Sequence, residues 1–223
     1  MKIIFLIPPS EWKKSWGTLW KEVLSFLFQK PKKIALWASE KDLKCKDARF
    51  QEAKKLNTSC IKQGYIEWLE AIQRYNGVMY TAINYVNMTE NGKKYFQDHF
   101  YIVSWMYGLV KAQDVISNYK LPIETKGLIW YWWKSITKQI QTLQADLVID
   151  LLPNSYKKMI DWKALATKII HIEFMHTKNN QRKKMAHGVK IVKGKYISHI
   201  CETGIFQAPE FWNTQEYVLE IDV

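Results

Sequence analysis

Apolar residues recur along the chain in two periods. Ile3–Ile7 is an unbroken apolar run, the pattern of a strand covered on both faces, and Pro8-Pro9 stops it. Similar runs at residues 100–105, 147–152 and 169–174 predict further buried strands, and the weak alternation over 217–223 predicts an edge strand. Elsewhere the period is helical. Trp16, Leu19, Trp20, Val23, Leu24 and Leu27 predict an amphipathic helix over 16–28, residues 47–56 a second, and Ile61, Tyr65, Trp68, Leu69 and Ile72 a third over 59–75. Thr89 is placed to cap a helix running to Phe96. Leu128, Tyr131, Trp132, Ser135 and Ile136 share one face of a helix over 128–138, while residues 34–37 read as a strand or short connector and 178–180 as a hairpin tip. A further helix is predicted to begin near Arg182. Strands alternating with helices, without a Pro/Gly/Ser-rich linker, predict one α/β domain over residues 1–223.

Composition narrows the function. With 48% hydrophobic residues, 9 Gly and 6 Pro, the chain can bury a sizeable core. Its 33 Lys and Arg against 21 Asp and Glu give a net charge of +12, which favours an anionic partner such as nucleic acid; a solvated lysine-rich surface is the other reading. Cys45, Cys60 and Cys201 lack C-x-x-C spacing, so they read as reduced thiols rather than zinc ligands or a disulfide framework. His99, His171, His176, His187 and His199 form no facial-triad spacing with carboxylates, and neither a metal nor a cofactor is expected. Residues 1–9 are too short for a signal-peptide core, and no window approaches the roughly 18 apolar residues of a membrane span. A monomer in the cytoplasm is the expectation.

Candidate chemistry gathers where strands end. Ser10, Glu11 and Lys13 follow the first strand, either as a helix cap or as a polar rim at its carboxyl end. Arg74, Tyr75 and Tyr80 surround an Asn76-Gly77 turn suited to a phosphate or a stacked base, or else to plain packing. The strand over 100–105 runs into the turn Met106-Tyr107-Gly108, placing Gly108, Lys111 and Asp114 at the same rim. Asp146 and Asp150 flank the strand over 147–152. The densest basic run, Arg182, Lys183, Lys184, His187, Lys190, Lys193 and Lys195, would point at that rim together with Lys13, Lys111 and Lys120.

Several of these residues carry a family resemblance. The order S-x-x-Y-G-h-h-K-x-x-D, then Y-K-L, then L-x-x-x-W-x-x-x-x-T resembles the YaaA family of peroxide stress proteins, matching Ser104, Tyr107, Gly108, Asp114, Tyr119, Leu121, Leu128, Trp132 and Thr137. The stretch IPPSEWK resembles the P-P-S-E-G-K opening of one branch, with Trp12 in place of glycine; Arg74 to Tyr80 resembles R-Y-x-G-V-h-Y, and Lys184 to Gly188 resembles K-x-x-R-G. The resemblance implies a YaaA-like fold with a mixed β-sheet covered by helices. It also implies DNA binding through a basic cleft, protection of DNA from Fenton damage, limitation of intracellular iron, and a helix-hairpin-helix-like element, for which residues 106–115 are the nearest candidate.

The DNA-contacting set is then Lys13, Arg74, Gly108, Lys111, Lys120, Arg182, Lys183, Lys184, His187 and Lys190, beside a pocket of Ser10, Glu11, Tyr80, Tyr107, Asp114 and Tyr119. At 111, 120 and 187 the family pattern has arginine; Lys111 and Lys120 keep the charge without the bidentate fork, and His187 is mostly neutral at pH 7. The alternative is an enzyme acting on a nucleotide or nucleobase, with Glu11 or Asp114 as acid/base and Tyr80 or Tyr119 orienting the base. An iron-binding protein is a third possibility, suggested by the family role alone.

Overall fold

The structure is a computed structural model that describes residues 1–20, 22–62, 66–178, 181–184, 188–206 and 218–222. In chain order, β1 is Ile3–Ile7, β2 Thr18–Trp20, α1 Lys32–Trp37, α2 Glu40–Leu43, α3 Asp47–Lys62, β3 Ile66–Glu70, α4 Ala71–Arg74, α5 Val78–Ile83 and α6 Glu90–His99. There follow β4 Phe100–Ser104, β5 Gly108–Val110, β6 Val115–Ser117, α7 Leu128–Thr142, β7 Leu147–Asp150, α8 Asn154–Lys157, β8 Lys168–Lys178, β9 Gln181–Lys184, α9 Val189–Thr203 and β10 Val218–Asp222.

The larger sheet runs β10-β8-β7-β1-β4-β5, with β9 folded back on β8. Its centre is parallel: β1 lies between β4 and β7, and β7 pairs β8. Antiparallel β5, β9 and β10 make the sheet mixed. Central strands need apolar residues on both faces, and Ile4, Phe5, Leu6 and Ile7 are fully buried as that requires. Phe5 stacks on Phe100 at 4.5 Å, and Phe100 on Phe96 of α6 at 4.8 Å, which ties β1, β4 and α6 into one core.

After β1 the chain crosses to β4 on one side; β4 turns back as β5, and through β6 and α7 the chain reaches β7 on the other side of β1. In an open α/β sheet the place where connections diverge in this way, here the carboxyl end of β1, is where a ligand crevice is expected. α6 packs on β1 and β4, and α9 packs on α5 and α6. α7 buries Leu128, Trp132, Ile136 and Ile140, and Trp132 Nε1 donates to Trp105 O at 2.7 Å. Tyr131 of the expected face is half-buried and Ser135 is exposed, because only the i, i+4 row meets the sheet. Among the described residues no helix is long and apolar enough to cross a membrane.

Four sequence expectations are corrected. The segment 16–28 is not a helix: β2 pairs β3, and Val23 bridges Val115. Residues 59–75 split into the end of α3, then β3, then α4, since β3 is the centre of a second sheet, β2-β3-β6, that buries Trp68. Residues 34–37 lie in α1. Arg182 begins no helix; it sits in β9, and α9 starts only at Val189 behind Gly188, whose φ of +76° favours glycine. Thr89 caps α6 as expected, its hydroxyl accepting from Gly92 N at 3.0 Å, and β10 is an edge strand.

Candidate functional site

The crevice at the carboxyl end of β1 is built from Ser10 to Lys14. Proline at 8 and 9 ends the strand, and the chain is then pinned to the α4–α5 turn: Asn76 N donates to Trp12 O at 2.9 Å, Lys14 N to Arg74 O at 2.9 Å, and Tyr80 OH to Pro8 O at 2.9 Å. Gly77 makes room there for Ser10: a Cβ would sit 2.3 Å from Ser10 Oγ and turn that hydroxyl aside. Lys13 folds back over this loop. Its Nζ donates to Ser10 O at 3.0 Å and lies 4.0 Å from the centre of the Tyr119 ring. Burial lowers its pKa to about 7, the Lys120 charge pushes the same way, and the Glu11 carboxylate offsets part of the effect. Lys120 Nζ stands 3.5 Å from Glu11 Oε2, while Lys13 Nζ reaches the Glu11 backbone oxygen at 3.4 Å.

Beneath them lies a closed triangle of hydroxyls. Tyr75 OH donates to Ser104 Oγ at 3.1 Å, and Tyr119 OH is 3.0 Å from both Tyr75 OH and Ser104 Oγ. Burial pushes Tyr75 up to about 12 and Tyr119 and Tyr107 well above the ordinary phenol, so all three stay neutral donors and acceptors. Tyr107 OH accepts from Ser117 N at 3.0 Å and meets Cys60 Sγ at 3.0 Å, binding the two sheets together. Tyr80, which hydrogen-bonds Pro8 O, shapes the loop from below.

The other predicted residues divide. Arg74 is fully buried, and its guanidinium donates to the carbonyls of Lys14, Trp16 and Glu67, so it holds backbone and has no face for a phosphate. Gly108 is sealed: a Cβ there would lie 2.7 Å from the Phe28 ring. Residues 106–115 form β5 and the turn into β6, not a helix-hairpin-helix. Because β5 runs antiparallel to β4, with Val110 beside Ile102, the chain returns toward the amino end of the sheet and carries Lys111 and Asp114 away from the crevice. Asp114 is buried, accepts from Ser25 N, Ser25 Oγ and Lys111 N, and has its pKa raised by burial; it fixes a turn and does not meet Glu11 as an acid/base partner.

Two residues of the last basic run, Lys193 and Lys190, lie at the same sheet edge. Lys193 Nζ donates to Leu151 O, which puts the start of α9 at the carboxyl end of β7 and leaves Lys190 exposed there. His187 lies outside the described residues, as do the side chains of Arg182, Lys183 and Lys184.

Sequence reasoning left Asp150 without a partner. The parallel register sets it beside His171, whose Nδ1 lies 2.6 Å from Oδ2, and Lys157 Nζ approaches the same oxygen at 3.2 Å. Leu152 N donates to Oδ1 at 2.8 Å, and Lys193, with its pKa lowered by burial to about 8, completes the group. No spacing along the chain signals this cluster, which strand pairing alone creates. Among the described residues no group of His, Cys, Asp and Glu could hold a metal ion.

The family model described as peroxide stress protein YaaA matches residues 4–220. A UPF0246 protein of Pseudoalteromonas translucida is 30% identical over 172 residues, covering 72% of this chain and 64% of that protein. Similar proteins of Psychrobacter cryohalolentis (29% over 147 residues, 61% of this chain and 55% of the relative) and Francisella tularensis subsp. tularensis (31% over 145 residues, 60% and 57%) also match. The chain thus spans between about half and two thirds of the length of these relatives.

Proposed function

This chain belongs to the YaaA family of peroxide stress proteins, and from that premise we propose that it binds DNA along the phosphodiester backbone at the carboxyl edge of its larger sheet. In peroxide stress it then shields DNA from Fenton damage, alongside the limiting of intracellular iron that the family role implies. One observation carries the proposal. Lys13 and Lys120 are close enough for the charge of one to depress the other, with one exposed carboxylate, Glu11, beside Lys120. Such a pair is costly without an anion, and a phosphate relieves it. Lys190 is exposed on the same edge, and the net charge of +12 supplies long-range attraction. Lysines without a bidentate fork suit backbone contact more than base reading.

The test is a titration of duplex DNA at several salt concentrations. Each phosphate contact contributes a slope of about −0.9 in log K against log[salt], so Lys120→Ala should flatten the slope by about one contact. A flat response in the unsubstituted protein sinks the proposal. Lys13 adds a pH signature. Its free pKa is about 7 and a bound phosphate raises it, so binding takes up a proton and affinity falls as pH rises above 7. Lys13→Met should remove that dependence; an unchanged pH profile would exclude Lys13 from the contact.

A further inference from the structure

We propose that a cleft of about 400 Å3 at the start of α7, walled by Trp130 and Trp133 and edged by Lys126 and Lys158, takes one unpaired nucleobase of a DNA strand by stacking. It deepens the DNA-binding function proposed above, on which the choice of a nucleic-acid strand rests.

Trp130 is 78% exposed, although the buried face of α7 is already filled by Leu128, Trp132, Ile136 and Ile140. Such an indole leaves apolar surface in water with no gain in the core. It is also held in place. Trp130 meets Trp133 edge to face, ring centres 5.6 Å apart at 88°, which fixes an aromatic wall. The opposite wall is the loop 123–127, anchored by Thr125 N to Pro122 O at 3.1 Å, Thr125 Oγ1 to Asp42 O at 3.3 Å and Lys126 N to Asp42 Oδ1 at 3.4 Å. The cleft is therefore formed before any ligand arrives, which lowers the ordering cost of binding.

Size and charge select the occupant. A volume near the lower end of the small-molecule range admits a base with its sugar and excludes a helix of a protein partner. Glu124 is paired with Lys44 at 2.9 Å and the Asp42 carboxylate faces Lys126, so Lys158 is the cation left at the mouth for a flanking phosphate. An exposed indole beside lysines is the arrangement by which single strands are held, the base stacking on the ring and the backbone tracking the charge. The charges of Glu11 and Glu124 both reach the Tyr156 phenol, which puts the cleft within a strand's reach of the Lys13 loop. A strand lying along Lys13 and Lys120 can thus turn one unpaired base into the cleft.

The experiment titrates the full chain with a thymidine oligomer, with a duplex of equal length and with thymidine monophosphate, reading tryptophan fluorescence. Trp130→Ala should weaken oligomer binding about ten-fold or more, the effect of losing one stacked base, with Trp130→Phe retaining much of it. Duplex affinity and the salt slope should stay unchanged, and the exposure of Trp130 makes loss of folding no obstacle. Equal losses for oligomer and duplex, or no loss for either, overturn the inference while leaving backbone binding intact. Should the unsubstituted protein bind neither nucleic acid, the backbone proposal fails; monophosphate quenching that depends on Trp130 then upholds a base site, and its absence overturns that as well.

Discussion

Arg74→Ala is expected to cost about 3–5 kcal/mol of stability, because three backbone carbonyls would lose a buried donor at about 1–3 kcal/mol each with incomplete additivity. The guanidinium bonds Trp16 O at 2.9 Å and Glu67 O at 2.7 Å, and also reaches Lys14 O. It therefore ties the loop after β1 to β3 and to its own helix turn. Space for it is made by Gly17, where a Cβ would lie 3.0 Å from Arg74 Nη2 and 2.5 Å from Trp68 O. Arg74→Lys should be intermediate, since an ammonium keeps the charge but lacks the planar fork that spans three acceptors. Urea denaturation of the three proteins measures the order. If Arg74→Ala kept its denaturation midpoint but lost DNA affinity, the arginine would be a phosphate ligand after all, and its assignment to the backbone would be wrong.

Gly194→Ala should destabilise the protein by about 2 kcal/mol, against the sign that helix propensity alone dictates. In an exposed helix interior alanine is about 1 kcal/mol better than glycine. Here a Cβ would lie 2.4 Å from Met79 O and 2.6 Å from Ala82 Cβ, so α9 and α5 would have to separate. Overpacking of that kind costs about 1–3 kcal/mol and sometimes more, and the two neighbours are a backbone oxygen and a β-carbon that cannot swing aside. Gly194→Val should be worse than Gly194→Ala. Thermal melts giving glycine, alanine and valine in that order of stability fit the close approach; a rise with alanine would mean that the two helices part without penalty. The same approach draws the first turn of α9 inward, where Lys193 reaches Leu151 O and Lys190 faces solvent.

What the sequence determined by itself is what short-range pattern encodes. The run Ile3–Ile7, the Thr89 cap and the row Leu128, Trp132, Ile136 belong to single elements, and their burial follows from local spacing. Ser10, Glu11 and Lys13 were legible as a rim because a proline pair ends a buried strand just before them.

The tertiary structure decided everything that depends on which strand lies beside which. Residues 16–28 and 59–75 have helical spacing, yet their backbones are claimed by the pairs β2-β3 and β3-β6, whose partners are remote in the chain. Antiparallel β5 turned Lys111 and Asp114 away from the crevice, a reversal that residue identity does not encode. Arg74 reads the same in sequence whether it faces a phosphate or three carbonyls; only the fold of the loop over it settled which. Asp150 met His171 through the register of β7 and β8, and the depressed Lys13 amine exists only because Lys120 and Tyr119 close over it. Pairing and charge proximity are long-range properties, and a linear pattern carries only the short-range half of the physics.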